Sequence, residues 1–451
     1  MRSAFLALPC IVLASFAMAD EVKSIDDQST HAQSGIIQFT GASSVLKMNA
    51  FCLNNQGQII AVCGNGPGEV RVANDDGKIL NSWKVDVKPE SVGVADDDTI
   101  LVGGEGKLFR FAPNGTLMTE VASPHAARLR NSKTQLRTEA LATLKRSMTA
   151  RDPIAMAESR VASYENMLTQ LKTRKENGTL NASEERLIKM LPDLMERYQK
   201  QLDDLKRAAE LKGDDQKQKA DTEPTEAQIT ALVDSMIRTK MRVSSISSTG
   251  DHLFVTTRGT TGYGYDVWKM NLQFKNAEVI VSGLSGCCGQ MDVQCCESGI
   301  YVAENSRDRV VHYDINGTEV NKWGKSDRTG INGFTSCCNP MNVCFDEKGH
   351  VYTAESGSGR IKCFDSKGQL VSYVGDVDLV PGCKNVSIAV SPVNDKVYML
   401  DLTRNHIKVM ELKPAGLKAQ NNKAENQKEA KLQPAAIGRG VTARLTIEAT
   451  K

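Results

Sequence analysis

Short runs in which apolar and polar residues alternate recur along most of this chain, and Gly, Asn and Asp separate them. Such runs are typical of half-buried antiparallel strands. Two stretches, beginning at Met291 and Met341, are near copies of each other, with turns at Gly299 and Gly349 in matching places. Repeats of about 45 to 50 residues that are filled with short strands predict the blades of a β-propeller.

The alternating pattern predicts six blades. They begin near Met48, Pro89, Val243, Met291, Met341 and Asn385. The sixth blade lacks a clear fourth strand after Met410, and the segment from Ile36 to Thr40 is a candidate to supply it. A ring closed in this way has no unpaired strand edge at its seam.

The pattern changes to helix between the second and third blades, where Ala, Leu, Lys, Glu and Arg predominate. We predict helices at Ala126–Ala150, Pro153–Lys175, Ala182–Lys212 and Thr225–Met241. Apolar residues at helical spacing on the third helix favour packing against the other helices over a binding face; they are Leu187, Met190, Leu191, Leu194, Met195 and Tyr198. We expect a propeller that stays folded when a short linker replaces Pro124 to Arg242.

The predicted fold is therefore mainly β, a six-bladed β-propeller with an inserted α-helical bundle or hairpin that resembles a coiled coil. Its expected parts are a signal peptide at 1–19, blades one and two with the closing strand at 34–122, the helical insertion at 123–242, blades three to six at 243–413 and a mostly disordered tail at 414–451. Arg2, an apolar stretch and Ala17-Met18-Ala19 are typical of a cleaved secretory signal. We expect export to the periplasm, the cell surface or the medium.

The net charge and the hydropathy of the chain limit the classes of partner that we expect for it. A formal net charge of +2 on 451 residues gives no electrostatic case for nucleic acid. No segment after the signal has the uninterrupted apolar length of a membrane span. We expect a protein or small-molecule ligand on one propeller face, with the helical insertion as a second contact surface.

The residues from Pro340 to Gly368 read PMNVCFDEKG, HVYTAESGSG and RIKCFDSKG, and those from Met291 to Gly317 are nearly as close to this pattern. The pattern resembles the repeat of NHL-type six-bladed propellers. The Cys-Cys-Asn-Pro form at the start of the blade is similar to a variant in exported bacterial propellers. This resemblance implies the fold and export, but a fold that is so widely reused assigns no activity.

Two enzyme families share this architecture. Peptide-amidating lyases hold zinc with histidines from several blades, but the histidines of this chain fall at unlike positions in their repeats. Gluconolactonase-like propellers place acidic and amide residues around a central calcium, and Asn49, Asp292 and Asn342 occupy one aligned position here. The alternative to a binding scaffold is thus a metal-dependent, lactonase-like hydrolase or a redox protein, and no residue is assigned a catalytic or cofactor-binding role.

Cysteines recur at equivalent positions of successive repeats. The candidate metal ligands are thiols where the innermost strands of three blades begin, together with carboxylates after the second strands: Cys287, Cys288, Cys337, Cys338, Cys383, Glu304, Glu355 and Asp401. Because equivalent positions of successive blades converge toward the axis, we expect these side chains on one face. Removing the signal, with Cys10, leaves an odd number of the 12 cysteines.

Several interpretations of these thiols stay open. Zinc or copper suits sulfur ligands, and calcium suits them less. Disulfides between neighbouring blades, or strained disulfides within each adjacent pair, are also compatible with an oxidising compartment. In the remaining interpretation, the thiols are small buried residues without reactivity. Cys52, Cys295, Cys344 and Cys363 lie within predicted strands, where we expect them to fill the core.

Overall fold

A computed structural model describes residues 28–41, 44–149, 153–178, 182–211, 223–260, 262–328, 330–335 and 338–414. These residues form six four-stranded sheets, with helices inserted between the second and third sheets in chain order. The protein is thus mainly β, and the number and size of its sheets fit a six-bladed propeller.

One strand, β1 (His31–Ile37), precedes the first complete sheet. The next three sheets each use four consecutive strands, so that every connection within a sheet is a short hairpin. They are β2 (Met48–Leu53), β3 (Ile59–Cys63), β4 (Gly68–Ala73) and β5 (Ile79–Val85); β6 (Ser91–Val94), β7 (Ile100–Gly104), β8 (Lys107–Phe111) and β9 (Leu117–Ala122); and β10 (Val243–Thr249), β11 (His252–Arg258), β12 (Tyr265–Asn271) and β13 (Glu278–Leu284).

The remaining sheets follow the same plan, and their strands correspond to the predicted fourth, fifth and sixth blades. They are β14 (Asp292–Cys296), β15 (Gly299–Glu304), β16 (Arg309–Tyr313) and β17 (Glu319–Trp323); β18 (Asn342–Phe345), β19 (Val351–Ala354), β20 (Arg360–Phe364) and β21 (Leu370–Asp376); and β22 (Ile388–Val390), β23 (Val397–Asp401) and β24 (His406–Leu412).

The last sheet takes its fourth strand from the other end of the described chain. β1 pairs antiparallel with β24, with His31 opposite Leu412 and Ile37 opposite Ile407. The expected strand is present, but it begins five residues earlier than Ile36, and Thr40 instead bridges to Lys78. His31 and Ile37 are buried at the two ends of β1, and the residues between them are mostly exposed, as in an edge strand.

Burial divides the strands of each sheet into two kinds. The second strands β3, β7, β15 and β23 are buried along their whole length, whereas the outer strands β5 and β9 alternate. The first strands of neighbouring sheets pack together, β10 against β6 and β14, and β22 against β18 and β2. Each sheet thus has a buried inner part and a solvent-facing outer edge.

The described chain forms two compact units. One unit draws on Met1–Ile60, Val72–Leu80 and Gly299–Lys451, and the other on Ala61–Arg71 and Asn81–Ser298. All of the described helices between β9 and β10 belong to the second unit.

These helices are α1 (Pro124–Asn131), α2 (Lys133–Thr149), α3 (Pro153–Glu176), α4 (Ala182–Leu211) and α5 (Glu226–Lys240). The first predicted helix is divided, because the chain leaves helical geometry at Ser132, whose hydroxyl donates to the carbonyl of Arg128. α5 begins with the capping box of Thr225 and Gln228.

α3 and α4 pack as a helical hairpin. The rings of Tyr164 and Tyr198 stack with their centroids 5.4 Å apart, and Leu171 and Leu191 are buried. The prediction that the apolar residues of α4 pack against other helices is thus right for Leu191 and Tyr198. It is wrong for Leu187 and Met190, which are 39% and 64% exposed, because these side chains lie outside the stripe that faces α3.

The base of the insertion is built into the second and third sheets. Leu129 is fully buried, and the guanidinium of Arg128 lies 4.4 Å above the ring of Trp268 in β12. A Cβ on Gly106, in the turn between β7 and β8, would lie 2.7 Å from the Sδ of Met241, just after α5. Only the hairpin of α3 and α4 therefore fits the expectation of a separable insertion.

Two predicted segments, the signal peptide at 1–19 and the tail from 415 onward, lie outside the described residues. No described helix has the length and hydropathy of a transmembrane span.

Candidate functional site

Cys287 and Cys288 lie in the tight turn between β13 and β14, in the second unit. Their Sγ atoms are 3.4 Å apart, well beyond the covalent S–S distance of about 2.05 Å. The amide of Gln290 donates to the carbonyl of Cys287 at 3.0 Å, and Cys288 adopts a positive φ of 54°. Cys288 is exposed and Cys287 is half-buried. The turn thus holds two neighbouring thiols at the surface.

The guanidinium groups of two arginines pack against this turn. A Cβ on Gly289 would lie 3.1 Å from Nη2 of Arg258 and 3.3 Å from Nη1 of Arg242. The guanidinium of Arg258 also lies 5.3 Å from the centroid of the buried Tyr265 ring. A Cβ on Gly286 would lie 2.5 Å from that ring, so only glycine lets the turn approach so closely. The dithiol turn therefore rests on a cationic and aromatic platform.

Two polar atoms of this platform are left without a partner. Arg258 Nε and the Tyr265 hydroxyl are buried, and neither forms a hydrogen bond in the part of the chain that the structure describes. Burial also raises the pKa of the Tyr265 hydroxyl, although the nearby charges of Arg258 and Arg242 oppose this effect. Buried donors without partners are uncommon in proteins and call for an explanation.

Arg242 is held in place by a buried carboxylate. Its Nε donates to Glu90 at 3.1 Å, and the other oxygen of Glu90 accepts from the amide of Val243 at 3.0 Å. Burial raises the pKa of Glu90, and the charge of Arg242 partly offsets that rise. Sequence reasoning missed this arginine pair, which flanks the β10–β11 hairpin, because it carries no repeat signature.

The predicted carboxylates of the first unit are occupied within their own hairpins. Glu304 accepts from Arg309 Nε at 2.5 Å, and Glu355 accepts from Lys362 Nζ at 2.5 Å. Asp401 accepts from two backbone amides of the following turn, each at 3.1 Å. All three carboxylates are buried. Each stands at or just after the end of a second strand, where a cation or turn amide of the same hairpin balances its charge.

The other predicted thiols that the structure describes, Cys338 and Cys383, belong to the first unit. Cys338 is buried with a φ of 73°, next to Asn339, which accepts the backbone amide of Ser356 at 3.0 Å. Cys383 is exposed, and Cys337 lies outside the described residues. The described cysteines form no disulfide. The metal and disulfide interpretations therefore stay predictions.

Of the four strand cysteines expected to fill the core, two are buried, whereas Cys52 and Cys344 are half-buried. Cys295 and Cys363 are buried, as is Cys63, and burial raises the pKa of each thiol to about 12. A thiol with such a pKa carries almost no thiolate, which is the reactive form, near neutral pH.

The position aligned with a possible calcium site is engaged in hydrogen bonds between strands. The side-chain oxygen of Asn342 accepts from the amide of Val386 at 3.1 Å, which links β18 to the segment before β22. In the second unit, Ser245 Oγ accepts from the amide of Val293 at 3.0 Å in the same way. Polar residues on the first strands thus join neighbouring sheets, a role that the sequence pattern does not reveal.

A cavity of about 630 Å³ lies at the base of the helical insertion. Its walls are α2, α5 and the turn between β11 and β12, and we call it the helical cleft. Apolar and charged side chains both line it, among them Glu139, Ala142, Arg146, Leu232, Met236 and Tyr263.

Buried polar contacts fix the floor of the helical cleft. Lys240 Nζ donates to the carbonyl of Gly259 at 3.0 Å and to that of Gly262 at 2.7 Å. Burial lowers the pKa of Lys240, and the nearby charge of Glu139 opposes this effect. Glu139 also accepts the amide of Gly262 at 3.2 Å, so helix and turn are joined from both sides. The cleft is therefore formed by fixed contacts.

Comparisons with known proteins show similar structures only. No protein-family model matches the chain, and no curated protein matches it in sequence. A gluconolactonase from Xanthomonas campestris has a TM-score of 0.40 and 9% identity, over 85% of this chain and 99% of the other. The calcium-binding protein regucalcin from Agrobacterium tumefaciens has a TM-score of 0.41 and 12% identity, over 84% and 93%.

A third similar structure is the β-propeller domain of Cps50 (Swd1) from Myceliophteria thermophila, with a TM-score of 0.40 and 11% identity, over 85% and 100% of the two chains. At such scores these neighbours assign no activity to this chain.

Proposed function

We propose that this protein is an exported binding scaffold, an NHL-like six-bladed propeller whose helical insertion holds a ligand. The six sheets in repeat order and the pairing of β1 with β24 support the propeller. The amino-terminal pattern of 1–19 supports export.

The helical cleft is the observation that carries this proposal. Its volume of about 630 Å³ lies within the range of small-ligand sites, which are mostly apolar with a few placed polar groups. Ala142, Leu232 and Met236 supply apolar wall, and Arg146 supplies positive charge. Arg146, Lys240 and Arg258 outnumber Glu139 among the charged residues that line the cleft, so its net charge is positive. The ligand class that fits is an amphipathic anion.

A binding measurement with a defined probe tests this proposal. The fluorescent amphipathic anion 1-anilinonaphthalene-8-sulfonate is titrated into the native protein. Ala142→Trp, which places an indole in the cleft, is expected to weaken binding at least about tenfold because the probe loses its apolar contact area.

Met190→Trp is the matched control, since Met190 is an exposed α4 residue that does not line the cleft. It is expected to bind as the wild type does. Equal affinity of the Ala142→Trp variant and the wild type would overturn the proposal.

The lactonase-like alternative is less well supported, because the buried carboxylates are engaged. Glu304, Glu355 and Asp401 already serve cations or turn amides of their own hairpins. A turnover screen against lactones, with and without calcium, separates the two functions. Hydrolysis that Asp292→Ala and Asn342→Ala abolish would replace the scaffold proposal by the enzyme.

A further inference from the structure

A second cavity of about 630 Å³ lies between α2 and α3, and we call it the α2–α3 groove. The helical cleft follows α2 from Gln135 to Arg146, a length of about 16 Å along the helix axis. The groove begins at Lys145 and Arg146 on the same helix and continues along α3. The two cavities therefore follow each other along α2, and Arg146 borders both of them.

We propose that the helical cleft and the α2–α3 groove together bind a single-chain lipid that carries a phosphate group. The apolar chain of this lipid lies in the cleft, and its phosphate lies in the groove. This inference rests on the proposed function, because it specifies the class of amphipathic anion that the cleft holds.

The polar groups at the floor of the cleft are engaged with the protein itself. Lys240 Nζ donates to two carbonyls of the turn between β11 and β12, and Glu139 accepts an amide of that turn. The guanidinium of Arg258 packs against the ring of Tyr265. Apolar side chains of α2 and α5 supply the walls, so an alkyl chain suits this cavity. We therefore expect the anionic end of the ligand at Arg146, which is exposed.

The α2–α3 groove has the charge that a phosphate group needs. Three cationic and two hydroxyl side chains line it: Lys145, Arg146, Arg160, Ser159 and Ser163. Within the described chain, no residue that lines the groove carries a carboxylate. Lys145 pairs with Glu223 at 2.9 Å, but both side chains are at least half exposed, so this pair is weak and the ammonium can take a second partner. A phosphate monoester carries a charge of about −1.5 to −2 and three acceptor oxygens, which is more than a carboxylate offers.

Aromatic stacking positions the guanidinium of Arg160 in the groove. Its Cζ lies 5.0 Å from the centroid of the Tyr198 ring, which in turn stacks on Tyr164. Arg160 is exposed and forms no ion pair with the residues that the structure describes. A guanidinium held by its face against a ring keeps its N–H groups at the edge, where they bind phosphate oxygens in pairs. Arg160 is thus the residue of the groove that is best placed to bind the headgroup.

Three probes separate the lipid from its parts. Dodecyl phosphate, dodecanoate and inorganic phosphate are each titrated into the native protein by calorimetry, below the concentration at which the first two form micelles. We expect dodecyl phosphate to bind about tenfold more tightly than dodecanoate, because the groove offers more donors than a carboxylate uses. We expect it to bind at least about a hundredfold more tightly than inorganic phosphate, which buries no apolar area.

Variants assign the two cavities to the two ends of the ligand. Arg160→Gln is expected to weaken dodecyl phosphate about tenfold and to leave 1-anilinonaphthalene-8-sulfonate unchanged, since Arg160 does not line the helical cleft. Arg174→Gln is the matched control, because Arg174 lies on α3 outside the groove, and this variant is expected to bind both compounds as the wild type does. Ala142→Trp is expected to weaken both compounds.

Equal binding of dodecyl phosphate by Arg160→Gln and the wild type would overturn this inference. If Ala142→Trp still weakened 1-anilinonaphthalene-8-sulfonate, the cleft of the proposed function would stand without it. Loss of dodecyl phosphate in Arg160→Gln but not in Ala142→Trp would also overturn the lipid, because the groove would then be a separate phosphate site. Equal affinity for dodecyl phosphate and either of the other two probes would do the same, and this comparison needs no variant.

Discussion

His125 shows how one buried side chain joins the two ends of the helical insertion. Its Nδ1 lies 2.7 Å from the hydroxyl of Ser123, and its Nε2 lies 3.1 Å from the carbonyl of Lys240, so the neutral ring accepts at Nδ1 and donates at Nε2. Burial lowers the pKa of His125 from 6.5 to about 4. The fold therefore favours the uncharged imidazole.

This shift predicts a loss of stability in mild acid. Between pH 6.5 and about 4 the unfolded chain binds a proton at His125 that the folded chain does not. The stabilising contribution is complete above pH 6.5 and decreases as the pH falls, by up to about 3 kcal/mol in the free energy of unfolding. The fall in Tm over this range is expected to be steeper in the wild type than in His125→Gln. Parallel Tm profiles would contradict the assignment.

A second prediction concerns the ion pair of Glu355 and Lys362, in which both side chains are fully buried. Lys362→Met leaves an uncompensated buried carboxylate and is expected to lower the free energy of unfolding by about 3–5 kcal/mol. The double variant with Glu355→Gln is expected to recover much of that loss. Lys322→Met, in the exposed pair with Glu319, is the control and is expected to change stability by less than about 1 kcal/mol. Denaturant titration measures all three.

The predicted zinc or copper site is tested by metal analysis and a thiol count on protein purified without metal affinity steps. Because the carboxylates are engaged, we expect any ligands to be thiols. About one metal per chain, lost in both Cys288→Ser and Cys338→Ser, would support the site. Substoichiometric metal with oxidised cysteines would support disulfides, and no metal with reduced, reactive thiols would exclude both.

The sequence predicts the candidate residues better than it predicts their surroundings. The repeat places Cys287 and Cys288 before a first strand, where they are found. It does not reveal that Glu355 is neutralised by Lys362, since a pattern of residue types does not state which charges pair. Arg242 and Arg258 approach Gly289 only through tertiary packing, so no local pattern predicts the platform.

At the scale of elements, the helical insertion has two parts with different roles. The helices that contact the second and third sheets bury Leu129 and Leu136 completely, whereas the α3–α4 hairpin is stabilised by its own stacked tyrosines. Amphipathic spacing predicts the existence of the helices, because period 3.6 is a local property. It does not predict that Arg128 covers Trp268, which depends on the third sheet.

This division predicts the result of two deletions. Replacing 153–211 with a short Gly/Ser linker is expected to leave a soluble protein with a cooperative melt. The reason is that the entropic cost of closing a loop changes little with the length of the loop. Replacing 124–242 is expected to lower the Tm markedly, because it uncovers Trp268 and the turn at Gly106. Equal Tm values for the two deletions would contradict the division.

At the scale of the whole molecule, the six sheets were predictable because each repeat carries its own alternating pattern and turn residues. The bounds of β1 were not, since its register depends on β24, at the far end of the described chain. A variant that lacks residues 1–37 is expected to melt at lower temperature and to aggregate, because β24 is left with an unpaired edge. A variant that lacks 1–27 keeps β1 and serves as the control in light scattering and melting experiments.

The pairing of β1 with β24 also sets an order of events during synthesis. The ribosome makes β1 first among the described strands and β24 last, so the final sheet is completed only when nearly all of the described chain has been made. Contacts between such distant segments form slowly, because the long intervening chain must first be brought together. The chain therefore stays incompletely folded for most of its synthesis, a condition that suits the export proposed above.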